Sequence, residues 1–176
     1  MKIFAVPTRD QVSSDNQAIF DNLKSALGFV PNLYATIGYS DNGLGRYLTY
    51  QNAKTSLSNK EKEAVNLIVS QVNECSYCQS AHTVIGKMNG FTDDQILDLR
   101  RGKSNDVKLN ALVALAGDIT KNKGKGDATL VDNFFAQGYT NENLVDLILQ
   151  ISEKTAMNYL HNLTEVPVDF PVAVAI

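Results

Sequence analysis

Apolar residues recur along this chain at three- and four-residue intervals. Glycines, prolines and small polar residues break them into blocks, and strict alternation is almost absent, so the pattern is that of amphipathic helices rather than strands. Ser13 or Ser14 is placed to cap a first helix with an apolar face of Ala18, Ile19, Leu23 and Leu27. Gly28 ends it, because glycine accepts the left-handed backbone of a helix stop. Pro31 suits the first position of a helix in PNLYATIGYS, and another is expected in DNGLGRYLTYQNAK. Ser58 with Glu61 three residues on forms a capping box ahead of Val65, Leu67, Ile68 and Val72. A helix from Cys75 to Asn89 closes at Gly90, and Thr92 with Gln95 opens one through Ile96, Leu97 and Leu99. Asn105 to about Thr120 is a long run with Leu109, Leu112, Val113 and Ala116 on one face. KNKGKGD is a turn, Asp127 caps a short helix to Gln137 that Gly138 stops, and Thr140 opens a last long helix through Leu144, Leu147, Ile148, Ile151 and Met157. The tail VPVDFPVAVAI, with two prolines, is expected to be extended. The fold class is therefore all-α, one domain over 1–176 built around antiparallel helix hairpins. SNKEKEAVNLIVSQVN and TNENLVDLILQISEKTAMN share caps and spacing, which either a duplicated helical unit or common amphipathic periodicity explains.

Composition narrows the function. Apolar types make up 44% of 176 residues and charged types 20%, a globular balance that argues against disorder or a coiled coil. No stretch approaches the roughly 20 apolar residues that cross a bilayer. The apolar run of MKIFAVPTRD is too short for a signal peptide, so a soluble, cytoplasmic protein with no membrane partner is expected. Sixteen Lys and Arg against 19 Asp and Glu give a net charge of −3, with no cation cluster to follow a phosphate backbone, so nucleic acid is not an expected partner. Lys121, Lys123 and Lys125 read as a solvated turn. Two cysteines cannot make a disulfide scaffold, yet both fall within one four-residue segment.

That segment carries the chemistry. Residues 63–82 read EAVNLIVSQVNECSYCQSAH. Cys78 and His82, at i and i+4 of the predicted helix, share a face one turn apart, with Cys75 a turn earlier. Unpaired N–H groups and the dipole at a helix start favour a thiolate at Cys75, while His82 takes or shares the proton of Cys78. Glu63 joins by hairpin arithmetic, because a turn around Asn73 and Glu74 makes the flanking helices antiparallel. Glu63 lies 11 positions before residue 74 and His82 lies 8 after it. The mismatch of about 3 residues is roughly 4.5 Å at 1.5 Å per residue, within the reach of a glutamate. A carboxylate holding an imidazole that activates a thiol is the logic of an assisted nucleophile.

Glu63, eleven intervening residues, Cys75-Ser-Tyr-Cys78, three residues and His82 resemble the signature of the AhpD-like alkylhydroperoxidases of the carboxymuconolactone decarboxylase superfamily. FVPNLY, SLSNKEKEAVNLIVSQVNECSYC and VDFP are similar to its peroxidase-related branch. The resemblance implies an AhpD-like domain with a catalytic core at about 58–90 and the activity of an antioxidant thiol-dependent hydroperoxide reductase or disulfide oxidoreductase. It implies that Cys75 and Cys78 cycle between dithiol and disulfide while Glu63 and His82 relay protons, with no cofactor. The partners are then a hydroperoxide substrate and a thiol or dithiol reductant. It also implies a homo-oligomer, whether dimer, trimer or hexamer, and the apolar and aromatic residues of the first 50 positions and the tail support that physically. Attack is assigned to Cys78, the i+4 neighbour of His82, and resolution to Cys75, although the helix-start position argues for the reverse. The founding members carry His between the cysteines where this chain has Tyr77, so one arm of the relay is missing.

Other chemistries fit the same residues. Cys75, Cys78 and His82, with Glu63 or His161 as a fourth ligand, suit zinc, although three ligands on one short segment crowd a tetrahedral site. A structural pair of buried thiols in a helical assembly module is a further alternative. So is lactone decarboxylation like that of the superfamily's namesake, which needs no dithiol. Glu74 either tunes Cys75 or is a solvated turn carboxylate, and Tyr77 either donates a proton at the site mouth or packs. His161 is expected to pack at the end of the last helix, and Tyr34, Tyr39, Tyr47 and Tyr50 to build core or subunit contacts.

Overall fold

The computed structural model describes residues 4–176, so the first three residues of MKIFAVPTRD lie outside it. A 3₁₀ turn at Arg9–Gln11 precedes α1 (Ser14–Leu27), α2 (Asn32–Ile37), α3 (Gly43–Gln51), α4 (Asn59–Val72), α5 (Ser76–Met88), α6 (Asp93–Arg100), α7 (Val107–Lys121), α8 (Ala128–Ala136) and α9 (Asn141–Thr164). The described residues contain no β-strand, and none of their helices is long and apolar enough to cross a membrane. The fold is all-α.

The sequence punctuation acts as expected. Ser13 caps α1, and Gly28 ends it at φ 84°. Ser58 with Glu61, Thr92 with Gln95 and Thr140 with Asn143 form reciprocal capping boxes, each satisfying N–H groups that a helix start otherwise leaves open. Three expectations need correction. Pro31 precedes α2 as its N-cap rather than occupying its first turn. In α1 the buried residues are Asn16 and Phe20, whereas Ala18 is exposed and Leu27 is 52% exposed. Asn16 is drawn inward because its amide donates to the carbonyls of Gly38 and Ser40, and Phe20 fills the space beside Gly38. In α9, Ile148 faces outward with Val145 and Leu149, while Leu147 and Ile151 enter the core.

α4 is the axis of the molecule and packs against α5, α6, α7 and α9. Its residues Glu63 to Ser70 are all buried, so a neighbour covers each of its faces. Val65, Leu67, Ile68 and Val69 join Leu112, Val113, Leu115, Phe134 and Leu147 in the main core, each such side chain contributing about 1.5–3 kcal/mol by leaving water. The fourth face of α4 is polar: Glu63, Asn66 and Ser70, at i, i+3 and i+7, form a stripe inside the protein. A buried polar group needs a partner, and this stripe finds its partners on α5 and α9.

Candidate active site

The α4–α5 hairpin closes in three residues. Asn73 ends α4, Glu74 takes the left-handed conformation at φ 55° with its carboxylate in solvent, and Cys75 N–H donates to Ser70 O at 3.0 Å. Cys75 is the N-cap of α5, and its Sγ accepts the backbone N–H of Cys78 at 3.2 Å. Both cysteines are free thiols, at 0% and 3% exposure. The hairpin register brings His82 Nδ1 to 2.7 Å from Glu63 Oε2, with both side chains buried. Among the described residues His82 Nε2 has no hydrogen-bond partner, and no hydrogen bond joins His82 to either sulfur.

Glu63 starts a buried polar chain that runs away from His82. Its Oε1 accepts from Asn66 Nδ2 at 3.0 Å, and Gln150 Nε2 on α9 donates to both Asn66 Oδ1 (2.8 Å) and Glu153 Oε2 (2.9 Å). The Tyr47 hydroxyl on α3 donates to Glu153 Oε1, Gln51 donates to the Tyr47 oxygen at 3.1 Å, and Tyr34 on α2 donates to Gln51 at 2.8 Å. Lys154 is 3% exposed, with Nζ 3.7 Å from Glu153 Oε1. Beyond it, Asn158 donates to Ser70 Oγ at 3.3 Å and accepts from Asn73 at 3.0 Å. Five helices (α2, α3, α4, α5 and α9) thus enclose two carboxylates, an ammonium, an imidazole and a dithiol. A cleft of about 50 Å³ lined by Gln51, Gln150 and Glu153, among others, opens to the surface at the Glu153 end.

This environment divides the two thiols. A hydrogen bond from Cys75 drives Cys78 below the ordinary cysteine range, with the Lys154 charge and Asn158 helping and burial opposing. Cys75 is driven up by the same hydrogen bond, by burial and by the charge on Cys78, although the Cys78 N–H favours the anion there. The two thiols titrate as a pair, with Cys78 favoured as the anion and Cys75 as the thiol. Burial would raise Glu63, but the charge and hydrogen bond of His82, Lys154 and the Asn66 amide outweigh it and hold the carboxyl below its usual range. Lys154 is pulled down by burial and pulled up further by Glu153, Cys78, Tyr34 and Glu63, so it remains an ammonium. Burial, then Glu153, pushes the Tyr47 phenol up and keeps it protonated.

The remaining candidates separate from this cluster. Tyr77 is buried, its oxygen accepts the Leu33 N–H at 3.3 Å, and its ring packs on His161 and Phe170 with centroids at 5.3 and 5.6 Å. It is a packing residue between α5, α2 and the tail. The His161 ring donates through Nε2 to Val166 O at 3.2 Å, so Nδ1 is the unprotonated nitrogen, buried without a partner, and burial lowers the pKa of the ring. Among the described residues no three His, Cys, Asp or Glu side chains gather as metal ligands. Of the early tyrosines, Tyr39 bonds to Ala5 O and Tyr50 to Leu149 O, whereas Tyr34 and Tyr47 line the site. The sequence reading missed Tyr47, Asn66, Gln150, Glu153, Lys154 and Asn158. Their signal is present all the same, because Lys154, Asn158 and His161 continue the apolar stripe of Leu147 and Ile151 at helical spacing, and polar residues on a core-facing stripe need an internal partner.

Comparison with known proteins bears on the fold and on the segment that holds the site. Residues 41–117, which hold Glu63, both cysteines and His82, match the carboxymuconolactone decarboxylase family. A peroxidase-related protein of Ralstonia eutropha JMP134, described as an alkylhydroperoxidase AhpD core, superposes with a TM-score of 0.85 at 18% identity, over 95% of this chain and 92% of that chain. A peroxidase-related protein of Silicibacter sp. TM1040 gives 0.83 at 19% identity, over 94% and 90%. The apo debrominase Bmp8 gives 0.78 at 17% identity, over 96% and 93%. No curated protein matches the chain by sequence. The family match thus spans the α4–α5 hairpin, and over nearly its whole length the chain shares the fold of solved AhpD-like, peroxidase-related proteins.

Proposed function

We propose that the protein reduces hydroperoxides with its dithiol. The carrying observation is geometric: two free, buried thiols on one helix start, with Cys75 Sγ accepting the Cys78 N–H, beside a buried Glu63–His82 couple on the same hairpin. The lowered pKa of Cys78 and the raised pKa of Cys75 support attack by Cys78. The Cys78 thiolate attacks the terminal oxygen of ROOH and the O–O bond breaks. Cys78 becomes a sulfenic acid, and the alkoxide takes a proton from the Glu63–His82 couple and leaves as ROH. The Cys75 sulfur then displaces hydroxide from the sulfenic acid, its own proton completing a water molecule, and the disulfide forms. An external thiol or dithiol returns the pair to the starting state by exchange, for a net conversion of ROOH and two thiols to ROH, water and a disulfide. Lactone decarboxylation, the reaction in the family name, would leave the divided thiols without a task.

Sulfenate trapping tests the assignment. After one equivalent of hydroperoxide, the Cys75→Ser variant accumulates a label on Cys78, and the wild type loses both thiols without a label. Label confined to Cys75 in Cys78→Ser reverses the roles, and thiols unchanged by peroxide end the redox reading. A homo-oligomer accompanies this reading, supported by the exposed stripe Val145, Ile148, Leu149, Tyr159 and Leu163 along α9. A monomer mass in sedimentation at micromolar concentration would contradict it. A reducing cytoplasm, which keeps the pair as a dithiol between turnovers, suits the same function.

A further inference from the structure

Lys154 has no part in the relay described above, yet it is a buried cation in the middle of the site. Its depth along the helices follows from contacts on both sides. α4 and α9 run parallel where they touch, with Gln150 bonded to Asn66 and Asn158 bonded to Ser70, which puts Lys154 level with the α4 turn between Asn66 and Ser70. α4 and α5 run antiparallel, with Glu63 bonded to His82, and Ser70 O bonded to Cys75 N and Gln79 Nε2, which puts Cys78 level with that same turn. Met157, one turn along α9 from Lys154, packs in the cluster that contains Cys75 and Cys78. Glu153 is the carboxylate beside the ammonium, and its oxygens already accept from Tyr47 and Gln150. Among the described residues Lys154 Nζ donates no hydrogen bond, so its three donors remain uncommitted.

An ammonium without a hydrogen bond, at the level of a thiol, is costly unless an anion rewards it. We propose that Lys154 is the fixed counter-charge of the Cys78 thiolate, and that Glu153, tied to Tyr47 and Gln150, holds the ammonium in place and limits how strongly it acts. This rests on the thiol chemistry proposed above and adds to it a positioning residue on a helix outside the Cys-x-x-Cys hairpin. The titratable groups around Cys78 and Lys154 are Cys75, Tyr77 and, through Glu63, His82 on the α5 side, Glu63 on α4, Tyr34 on α2, Tyr47 on α3, and Glu153 on α9. Lys154 is the permanent cation that they surround. In the attack step it opposes no proton transfer, because it stays charged throughout; it makes the thiolate available before peroxide arrives.

The test reads the charge state of the thiol, not turnover. In a Cys75→Ser background, alkylation of Cys78 by iodoacetamide is followed against pH, together with thiolate absorbance and circular dichroism. Lys154→Met moves the midpoint up by about one to three pH units, the range for losing a nearby opposite charge, and slows alkylation at neutral pH on the order of tenfold or more. Glu153→Gln, which leaves the ammonium unbalanced, moves the midpoint down. The double variant Glu153→Gln/Lys154→Met leaves no unpaired buried charge and so folds even if Lys154→Met does not, and its midpoint also moves up, by less. An unmoved midpoint in a folded Lys154 variant, or an unmoved or raised one in Glu153→Gln, overturns the proposal. A protein that reduces no hydroperoxide still reports these midpoints, so failure here and failure of the peroxidase reading are distinct results.

Discussion

Replacing Glu63 with Gln tests the proton couple with minimal change of shape. The carboxylate accepts two hydrogen bonds, from His82 Nδ1 at 2.7 Å and from Asn66 at 3.0 Å, in a setting where both His82 and Glu63 are buried. A glutamine oxygen keeps the Asn66 bond, which turns the glutamine NH₂ toward His82. Nδ1 must then accept rather than donate, which holds the ring as the neutral Nε2–H tautomer and removes the carboxylate that stabilises the imidazolium needed to protonate the alkoxide. A hydrogen bond to a charged group is worth about 1.5–3 kcal/mol, and at about 1.4 kcal/mol per decade the loss is about 10- to 150-fold in peroxide reduction. Stopped-flow consumption of an alkyl hydroperoxide measures it, and the thiol pKa should rise in parallel. Reduction of the oxidised protein by a dithiol should be unchanged, since exchange needs only the disulfide. Acid stability gives an independent reading. The Glu63 carboxyl is held below its unfolded value, so its stabilisation is full above the ordinary glutamate range and is lost as pH falls through the lower, folded value. Wild-type protein should therefore lose more stability than Glu63→Gln between pH 6 and strongly acid conditions in urea titrations, where those pH limits are about one to three units either side of a free glutamate. An unchanged peroxide rate with an unchanged thiol pKa would show that the pair is a buried structural contact and would remove the relay from the mechanism.

Two further substitutions probe what supports the site. Leu67→Ala opens a void at the centre of α4, where the side chain is 0% exposed, and should cost about 2–5 kcal/mol by urea denaturation; a loss below about 1 kcal/mol would mean that α4 is not the packing axis. Phe170→Ala removes the tail ring that packs on Tyr77 and on Phe29, with centroids at 5.6 and 5.5 Å, and should raise native-state alkylation of the buried thiols several-fold while lowering stability by about 1–3 kcal/mol. An unaltered alkylation rate would direct reagents to the thiols by another route, such as the cleft beside Glu153.

The sequence was most legible where the structure is local. Capping boxes at Ser58, Thr92 and Thr140 and the stop at Gly28 depend on residues three or four apart, and these set the starts of α4, α6 and α9 and the end of α1. Glu63 and His82 could be joined because only residues 73–75 separate their helices, so counting residues sets their register. Glu153 and Lys154 have no such link to Cys78. They are more than 70 residues away in the chain, and their depth depends on how α9 settles against α4, which the Gln150–Asn66 and Asn158–Ser70 contacts decide. Tyr47 arrives from a third direction, and only the bond to Glu153 distinguishes it from Tyr39 or Tyr50. Tyr77 shows the opposite limit: its place between the two cysteines left proton donation and packing both open, and a phenol at the second position of α5 turns toward α2 and the tail, where Leu33 and Phe170 receive it. What sequence spacing does register about the distant half of the site is its cost. A lysine on the same stripe as Leu147 and Ile151 pays a desolvation penalty that no surface role requires, and Asn66 and Ser70 interrupt the apolar surface of α4 at matching depth. Two interrupted stripes on helices that share a core must face each other, because buried polar groups are stable only where they find partners, and the space between those stripes is where this chain keeps its thiols.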